Sequence, residues 1–197
     1  MTRPVFFVEE DKILTALFEE GLDNLHLSKP GSSPIYSERL LSLLPEESYS
    51  KITVHDHYYL KAEYRLAGIH LDDGHAELPA GYRGRFSRTC CDVAELPAMK
   101  RKAEYVFLRG ALGTSNEGGV GGCAVPPEVE QAARRGIIDR HVYAFGGINL
   151  DNIGLARELG FGGVVVCEDL WGRFDIYNET DYKNLISHFE KLRKAVS

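Results

Sequence analysis

Eight short apolar runs, spread over 197 residues with helical patterns between most of them, constrain this chain more than any single residue does. The runs fall at 5–8, 24–28, 52–56, 68–71, 85–89, 105–109, 142–145 and 163–167, and each is rich in Val, Ile, Leu or Phe. Such runs suit strands buried on both faces, as in a parallel sheet covered by helices. Between them, 9–20 opens with acidic residues and carries one stripe of Ile13, Leu14, Leu17 and Phe18, with Gly21 as its stop. Leu40, Leu41 and Leu44 make a second stripe at 36–44 before Pro45. Further helices are expected at 92–100, 127–135, 149–159 and 182–195. Pro127 sits at a permitted first-turn position, and Gly136 and Gly160 follow two of the ends.

Strand alternating with helix implies a parallel sheet, and eight repeats favour closure. The expected fold is therefore α/β, a single (β/α)8 TIM barrel of eight parallel strands over 1–197. That length suits one core and lies near the small end for such a barrel. The link between the fourth and fifth strands, 72–84, reads as a loop. The segment 110–126 is Gly-rich without periodicity, which suits a functional lid or a disordered loop.

Charge and hydropathy narrow the function classes. The net charge is −6 with no basic stripe, which argues against a nucleic-acid binder. A phosphorylated ligand would need local positive groups against that field. No apolar run approaches the length of a membrane span. The segment Met1-Thr2-Arg3-Pro4-Val5-Phe6-Phe7-Val8 is too short and too soon acidic for a signal peptide, so a cytoplasmic protein is expected. Cys90, Cys91, Cys123 and Cys167 show no CxxC spacing, and reduced thiols are expected.

In a parallel barrel the site lies at the C-terminal strand ends. Those ends offer His26 and Ser28, His55 and Asp56, His70 and Asp72, then Arg88, Thr89, Cys90 and Cys91, Arg109, Gly146 and Gly147, and finally Cys167 and Glu168. In Phe145-Gly146-Gly147-Ile148-Asn149 a strand runs through two glycines into a helix start. Glycines let a ligand approach the backbone and a helix start presents N–H groups, so the pattern favours phosphate over a bare turn. Strand alternation turns His26 and Ser28 to one side, as ligand contacts or, for His26, as a core histidine. Asp56 could hold Mg²⁺ or cap a helix. His55 and His57 invite zinc, but no further ligand set with zinc-like spacing follows. Cys90 or Cys91 could be a nucleophile or acid if Arg88 lowered its pKa; buried inert thiols are commoner.

Together these segments resemble the thiamine phosphate synthase family, which also contains the thiazole tautomerases (TenI). The resemblance runs from Phe6 to Trp171. It is carried by Gly68-Ile69-His70-Leu71, Tyr105-Val106-Phe107, Ala144-Phe145-Gly146-Gly147-Ile148 and Gly160-Phe161-Gly162-Gly163-Val164-Val165-Val166, in that order and spacing. It implies coupling of hydroxymethylpyrimidine diphosphate to thiazole phosphate through a pyrimidine cation, with release of pyrophosphate. It also implies small phosphorylated thiazole and pyrimidine ligands, Mg²⁺ associated with Asp56, and a thiazole phosphate on Gly146 and Gly147 and at the helix start near Cys167 and Glu168. The oligomeric state stays open, a homodimer among the candidates.

Departures from the family pattern decide between readings. His26 and Ser28 stand where the family has Gln-x-Arg, His55 where it has Asn, and Thr89 and Cys91 where it has Ser-x-His. Gly113-Thr114-Ser115-Asn116-Glu117 replaces a threonine-and-lysine loop. Each lost charge-assisted phosphate contact is worth about 1.5–3 kcal/mol. Lys29, Arg88 and Arg109 are the cations that could compensate, Arg109 the best placed. A working synthase would then use His26, Ser28, His55, Cys91 and Arg109. A tautomerase would use the imidazoles or Cys91 for proton transfer. A non-catalytic relative would keep only the phosphate pocket.

Overall fold

The computed structural model describes residues 1–72, 74, 76–112, 125–175 and 182–196. In chain order its elements are α1 (Glu10–Glu19), β1 (Leu25–Leu27), α2 (Pro34–Leu43), β2 (Ile52–Val54), α3 (Leu60–Glu63), β3 (Gly68–Leu71), β4 (Phe86–Cys90), α4 (Leu96–Lys100), β5 (Val106–Arg109), α5 (Pro127–Arg134), β6 (Val142–Phe145), α6 (Ile153–Glu158), β7 (Gly163–Val165), α7 (Glu168–Trp171) and α8 (Lys183–Val196). Short 3-10 turns lie at Glu46–Lys51 and Val93–Glu95. The fold is α/β with parallel strands, of the TIM-like class. The chain divides into two compact units, Met1–His70 with Leu170–Glu190 and Leu71–Asp169 with Lys191–Ser197.

An eighth strand was expected at 5–8, and the described residues form seven strands, none of them there. Pro4 lacks an N–H to donate, and the chain bends at Pro4 and Val5. Val5 and Val8 end up 57% and 87% exposed. The two phenylalanines between them pack as side chains instead: Phe6 lies 5.4 Å from the Tyr36 ring, and Phe7 lies 5.8 Å from Trp171 and 6.3 Å from Phe174. The backbone beside β1 is met by Thr2, whose N–H donates to His26 O at 2.9 Å and whose hydroxyl donates to Ser28 O at 3.0 Å. An apolar run here supplies anchors, not a strand.

In the first unit, β1 pairs with β2 and β2 with β3, all parallel. The register sets Leu25 beside Ile52, and Leu27 beside Val54 and then Ile69. These apolar side chains are buried on one sheet face. By strand alternation His26, Thr53, His55 and His70 take the other face. α1 buries Ile13, Leu14, Leu17 and Phe18, the stripe its spacing predicts.

In the second unit the strands follow in the order β4-β5-β6-β7. Arg88, Val106 and Val142 are level, as are Cys90, Leu108, Ala144 and Val164. Thr89 is level with Phe107 and Tyr143 on the opposite face, one step before Arg109 and Phe145. Tyr105, Phe107, Tyr143 and Phe145 form an aromatic ladder there, with Tyr105 and Tyr143 stacked at 4.8 Å and Phe107 5.7 Å from Phe145. Gly162 passes so close to the Arg140 backbone that a Cβ would overlap it. Only glycine permits that approach. No described helix is long and apolar enough to cross a membrane.

Candidate functional site

Three histidines converge on one face of the first unit. His26 lies in β1, His55 follows β2 and His70 lies in β3, and they are 3%, 5% and 0% exposed. Parallel register brings them together: His26 is level with Thr53, and Thr53 with Gly68, so two residues on, His55 and His70 rise on the same face. His26 Nδ1 lies 2.8 Å from His55 Nε2. The His55 and His70 rings stack at 4.3 Å, and His26 stands edge-on to both. Burial, reinforced by the two neighbouring imidazoles, holds His26 well below the ordinary histidine range, so it is neutral at neutral pH.

No further ligand set with zinc-like spacing follows His55 in the sequence, and the structure brings His26 and His70 beside it from other strands. The set comes from three strands, so no sequence spacing displays it. His57, the proposed partner of His55, takes a left-handed conformation (φ 52°) and its Nε2 contacts Ser32 O at 3.0 Å. The His55 N–H still donates to Leu27 O at 3.0 Å and so continues the ladder, whereas the left-handed backbone at His57 ends the alternation.

Asp56 is half-buried, and its Oδ2 accepts the Lys29 N–H at 2.8 Å. The helix-cap alternative is excluded for α3, whose N-cap position is Tyr59. Ser28 is half-buried, and its backbone N–H donates to the Thr2 hydroxyl at 3.0 Å. Lys29 does not compensate for a lost phosphate cation. Its ammonium is fully buried and donates to Glu10 Oε1 and Oε2 at 2.6 and 2.8 Å and to Val5 O at 3.2 Å. The carboxylate already neutralises it.

The second unit holds the remaining expected residues. Arg109 is exposed at the C-terminal end of β5, with its guanidinium 5.4 Å above the Phe145 ring. Arg88 lies on the opposite sheet face, level with Val106. Its Nη1 donates to Gly74 O at 2.6 Å, it covers Phe86 at 5.4 Å, and its buried Nε has no partner among the described residues. Arg88 is therefore a structural cation, and of the three compensating cations only Arg109 is left to a ligand. Gly146 and Gly147 both take positive φ, 100° and 66°, which a side chain would strain. The turn after them closes on itself: Asn152 Nδ2 donates to Gly147 O at 2.8 Å, and Asn152 Oδ1 accepts from Asn149 N–H at 2.9 Å. This displaces the expected helix start from 149 to Ile153. Cys167 is half-buried, and Glu168 is exposed as the first residue of α7. Cys123 and the segment Gly113-Thr114-Ser115-Asn116-Glu117 lie outside the described residues.

The adjacent thiols differ sharply. Cys90 is 1% exposed and donates to Asp92 O at 3.0 Å, whereas Cys91 is exposed. Burial pushes the Cys90 thiol up to about 11 from its ordinary 9.0, so it is no thiolate nucleophile. Because the folded value is raised, the neutral thiol's contribution to stability is fully present below pH 9.0 and is lost as pH rises through about 11. Native alkylation at neutral pH is expected to label Cys91 and spare Cys90. The alkaline loss of melting temperature should shrink in Cys90→Ala. Labelling of both thiols at equal rates, read by mass spectrometry, would contradict the burial argument.

The chain as a whole is similar to several solved structures. A thiamine phosphate pyrophosphorylase from Bacteroides thetaiotaomicron is 45% identical, with 98% of this chain and 94% of that chain covered and a TM-score of 0.87. A thiamine phosphate pyrophosphorylase from Pyrococcus furiosus is 17% identical over 96% of this chain and 90% of its own, with a TM-score of 0.71. A 3-hexulose-6-phosphate synthase, 12% identical over 95% of each chain, has a TM-score of 0.58. The last two likenesses concern the fold alone. No family model and no curated protein sequence matches the chain.

Proposed function

We propose, on the premise that this chain belongs to the thiamine phosphate synthase superfamily, that it is a transferase coupling hydroxymethylpyrimidine diphosphate to thiazole phosphate. The carrying observation is 45% identity sustained over 98% of the chain with a protein bearing that activity's name. In the reaction the bond from the pyrimidine methylene carbon to the diphosphate oxygen breaks, and pyrophosphate keeps the electron pair. The thiazole nitrogen then donates its pair to the methylene carbon, giving thiamine phosphate.

Residue roles follow from chemistry. Arg109 is an exposed cation at a strand end and would hold phosphate oxygens. The side-chain-free turn of Gly146 and Gly147 would admit the thiazole phosphate, beside Cys167; Glu168 is an acidic neighbour that would weaken such binding. Asp56 would hold Mg²⁺ through its carboxylate, which the Lys29 N–H helps to orient, and one carboxylate plus substrate phosphates is a usual magnesium set. When bound, Mg²⁺ supplies positive charge to a departing pyrophosphate. Ser28 and Cys91 would offer a hydroxyl and an accessible thiol.

A second reading, thiazole tautomerase, is favoured by the imidazoles of His26 and His55, which suit proton transfer better than pyrophosphate binding. The test is turnover of purified protein with Mg²⁺, hydroxymethylpyrimidine diphosphate and thiazole phosphate. Mg²⁺-dependent thiamine phosphate, matched one-for-one by pyrophosphate, is expected. No product from folded protein would sink the transferase reading, and thiazole isomerisation in the same preparation would establish the second.

A further inference from the structure

We propose that His26, His55 and His70 bind one divalent transition-metal ion, with Zn²⁺ as the best fit. The site takes up the His26 and His55 lone pairs that the tautomerase reading needs for proton transfer, and it is distinct from the transferase roles given above to Arg109 and to a magnesium position at Asp56. One ligand nitrogen from each ring lies within 4.8 Å of the others. In a tetrahedral zinc site, Zn–N distances of about 2.0–2.1 Å place ligand nitrogens about 3.4 Å apart. Separations of up to 4.8 Å must close toward that value, and the stacked His55 and His70 rings must turn so that their in-plane lone pairs meet at one ion. The 2.8 Å approach of His26 Nδ1 to His55 Nε2 must open by about half an ångström, as its shared proton gives way to the metal.

Chemistry selects the ion. Three imidazoles without a carboxylate among them suit zinc and its borderline neighbours, and do not suit Mg²⁺ or Ca²⁺, which take oxygen ligands. Three protein nitrogens also leave the fourth position of a tetrahedron to water or a ligand. The strands fix the ligands. His26 and His70 lie in β1 and β3, His55 directly follows β2, and its N–H donates to Leu27 O at 3.0 Å. The Tyr58 hydroxyl donates to the His70 carbonyl at 3.1 Å, pinning the backbone there too. A site held on strands is more precise than one held on loops. Burial of all three rings keeps bulk water from competing for the ion.

Full-length protein, stripped with chelator and dialysed against Zn²⁺, then against metal-free buffer, is measured by elemental analysis. One zinc per chain is expected, falling at least tenfold in His55→Gln and His70→Gln and unchanged in Asp56→Asn. The Co²⁺-loaded wild type is read alongside, because a histidine variant that fails to fold would leave the zinc count uninterpretable. Intense visible d–d bands, displaced by one equivalent of Zn²⁺, are expected of a four- or five-coordinate nitrogen site. Folded wild type that returns metal-free, or that gives only the pale spectrum of hydrated Co²⁺, overturns the proposal. So does retention of zinc by folded His55→Gln and His70→Gln. None of these readouts depends on turnover, so failure of the metal site and failure of the transferase reading are separable.

Discussion

Lys29→Met is expected to lower the unfolding free energy by about 3–5 kcal/mol, a large share of a domain's total. The Lys29 and Glu10 side chains are 0% and 2% exposed, and the ammonium meets both carboxylate oxygens, Val5 O and the Phe6 ring face at 4.3 Å. Removing the lysine strands a carboxylate in the interior, which is worse than never having placed one there. Burial pushes the Glu10 carboxyl up from its ordinary 4.5, and the Lys29 charge pulls it partly back. In Lys29→Met that pull is gone, so the folded value rises further above the unfolded one. The folded variant then binds protons more readily than the unfolded chain, and its stability falls as pH rises through that window. The deficit against wild type should therefore be largest at neutral pH and shrink toward pH 4.5. Glu10→Leu with Lys29→Met should recover part of the loss, giving a positive coupling in a double-mutant cycle. Denaturant unfolding at several pH values measures this. A loss below about 1 kcal/mol at neutral pH would mean the pair is solvated in a way its burial does not show.

Arg109→Ala is expected to lower kcat/KM for thiamine phosphate formation about 10- to 150-fold, the equivalent of one charge-assisted phosphate contact of about 1.5–3 kcal/mol. Its guanidinium is exposed, so stability should change by no more than about 0.5 kcal/mol. The other two cations that might have shared the task are committed elsewhere: Lys29 to Glu10, and Arg88 to Gly74 O and the Phe86 ring. Arg88→Ala should accordingly lose stability while keeping turnover per folded molecule. Steady-state kinetics with melting curves on both variants separates the two arginines. Equal kinetic losses would mean that the sheet face does not assign their roles.

Periodicity made most of the architecture readable. The apolar stripe of α1, the ends of β3 and β6, and the glycines after α5 and α6 follow from local spacing alone. The failures share a cause. At 5–8, apolar composition suggested a strand, but a run of four residues states that it must be covered, not by what. Pro4 and the contacts to Tyr36, Trp171 and Phe174 settled it as a set of anchors. At 149–152, two asparagine amides close a turn in the place where helix propensity alone would begin α6. Lys29, a candidate cation for phosphate, lies beyond the end of β1 and is turned from solvent. Its actual partner, Glu10, lies nineteen residues away on α1 and could not be read from strand period.

What the sequence determined by itself is the alternation of strand and helix, the alternation of side chains along each strand, and the glycine turn after β6. These depend on the period of the backbone and on the conformations glycine alone tolerates. What tertiary structure decided is which polar groups meet. His26, His55 and His70 are separated by 29 and 15 positions and become neighbours only because three parallel strands pair in one register. Register is a property of pairing, not of any one segment, and a shift of a single residue would turn the histidines to the other face.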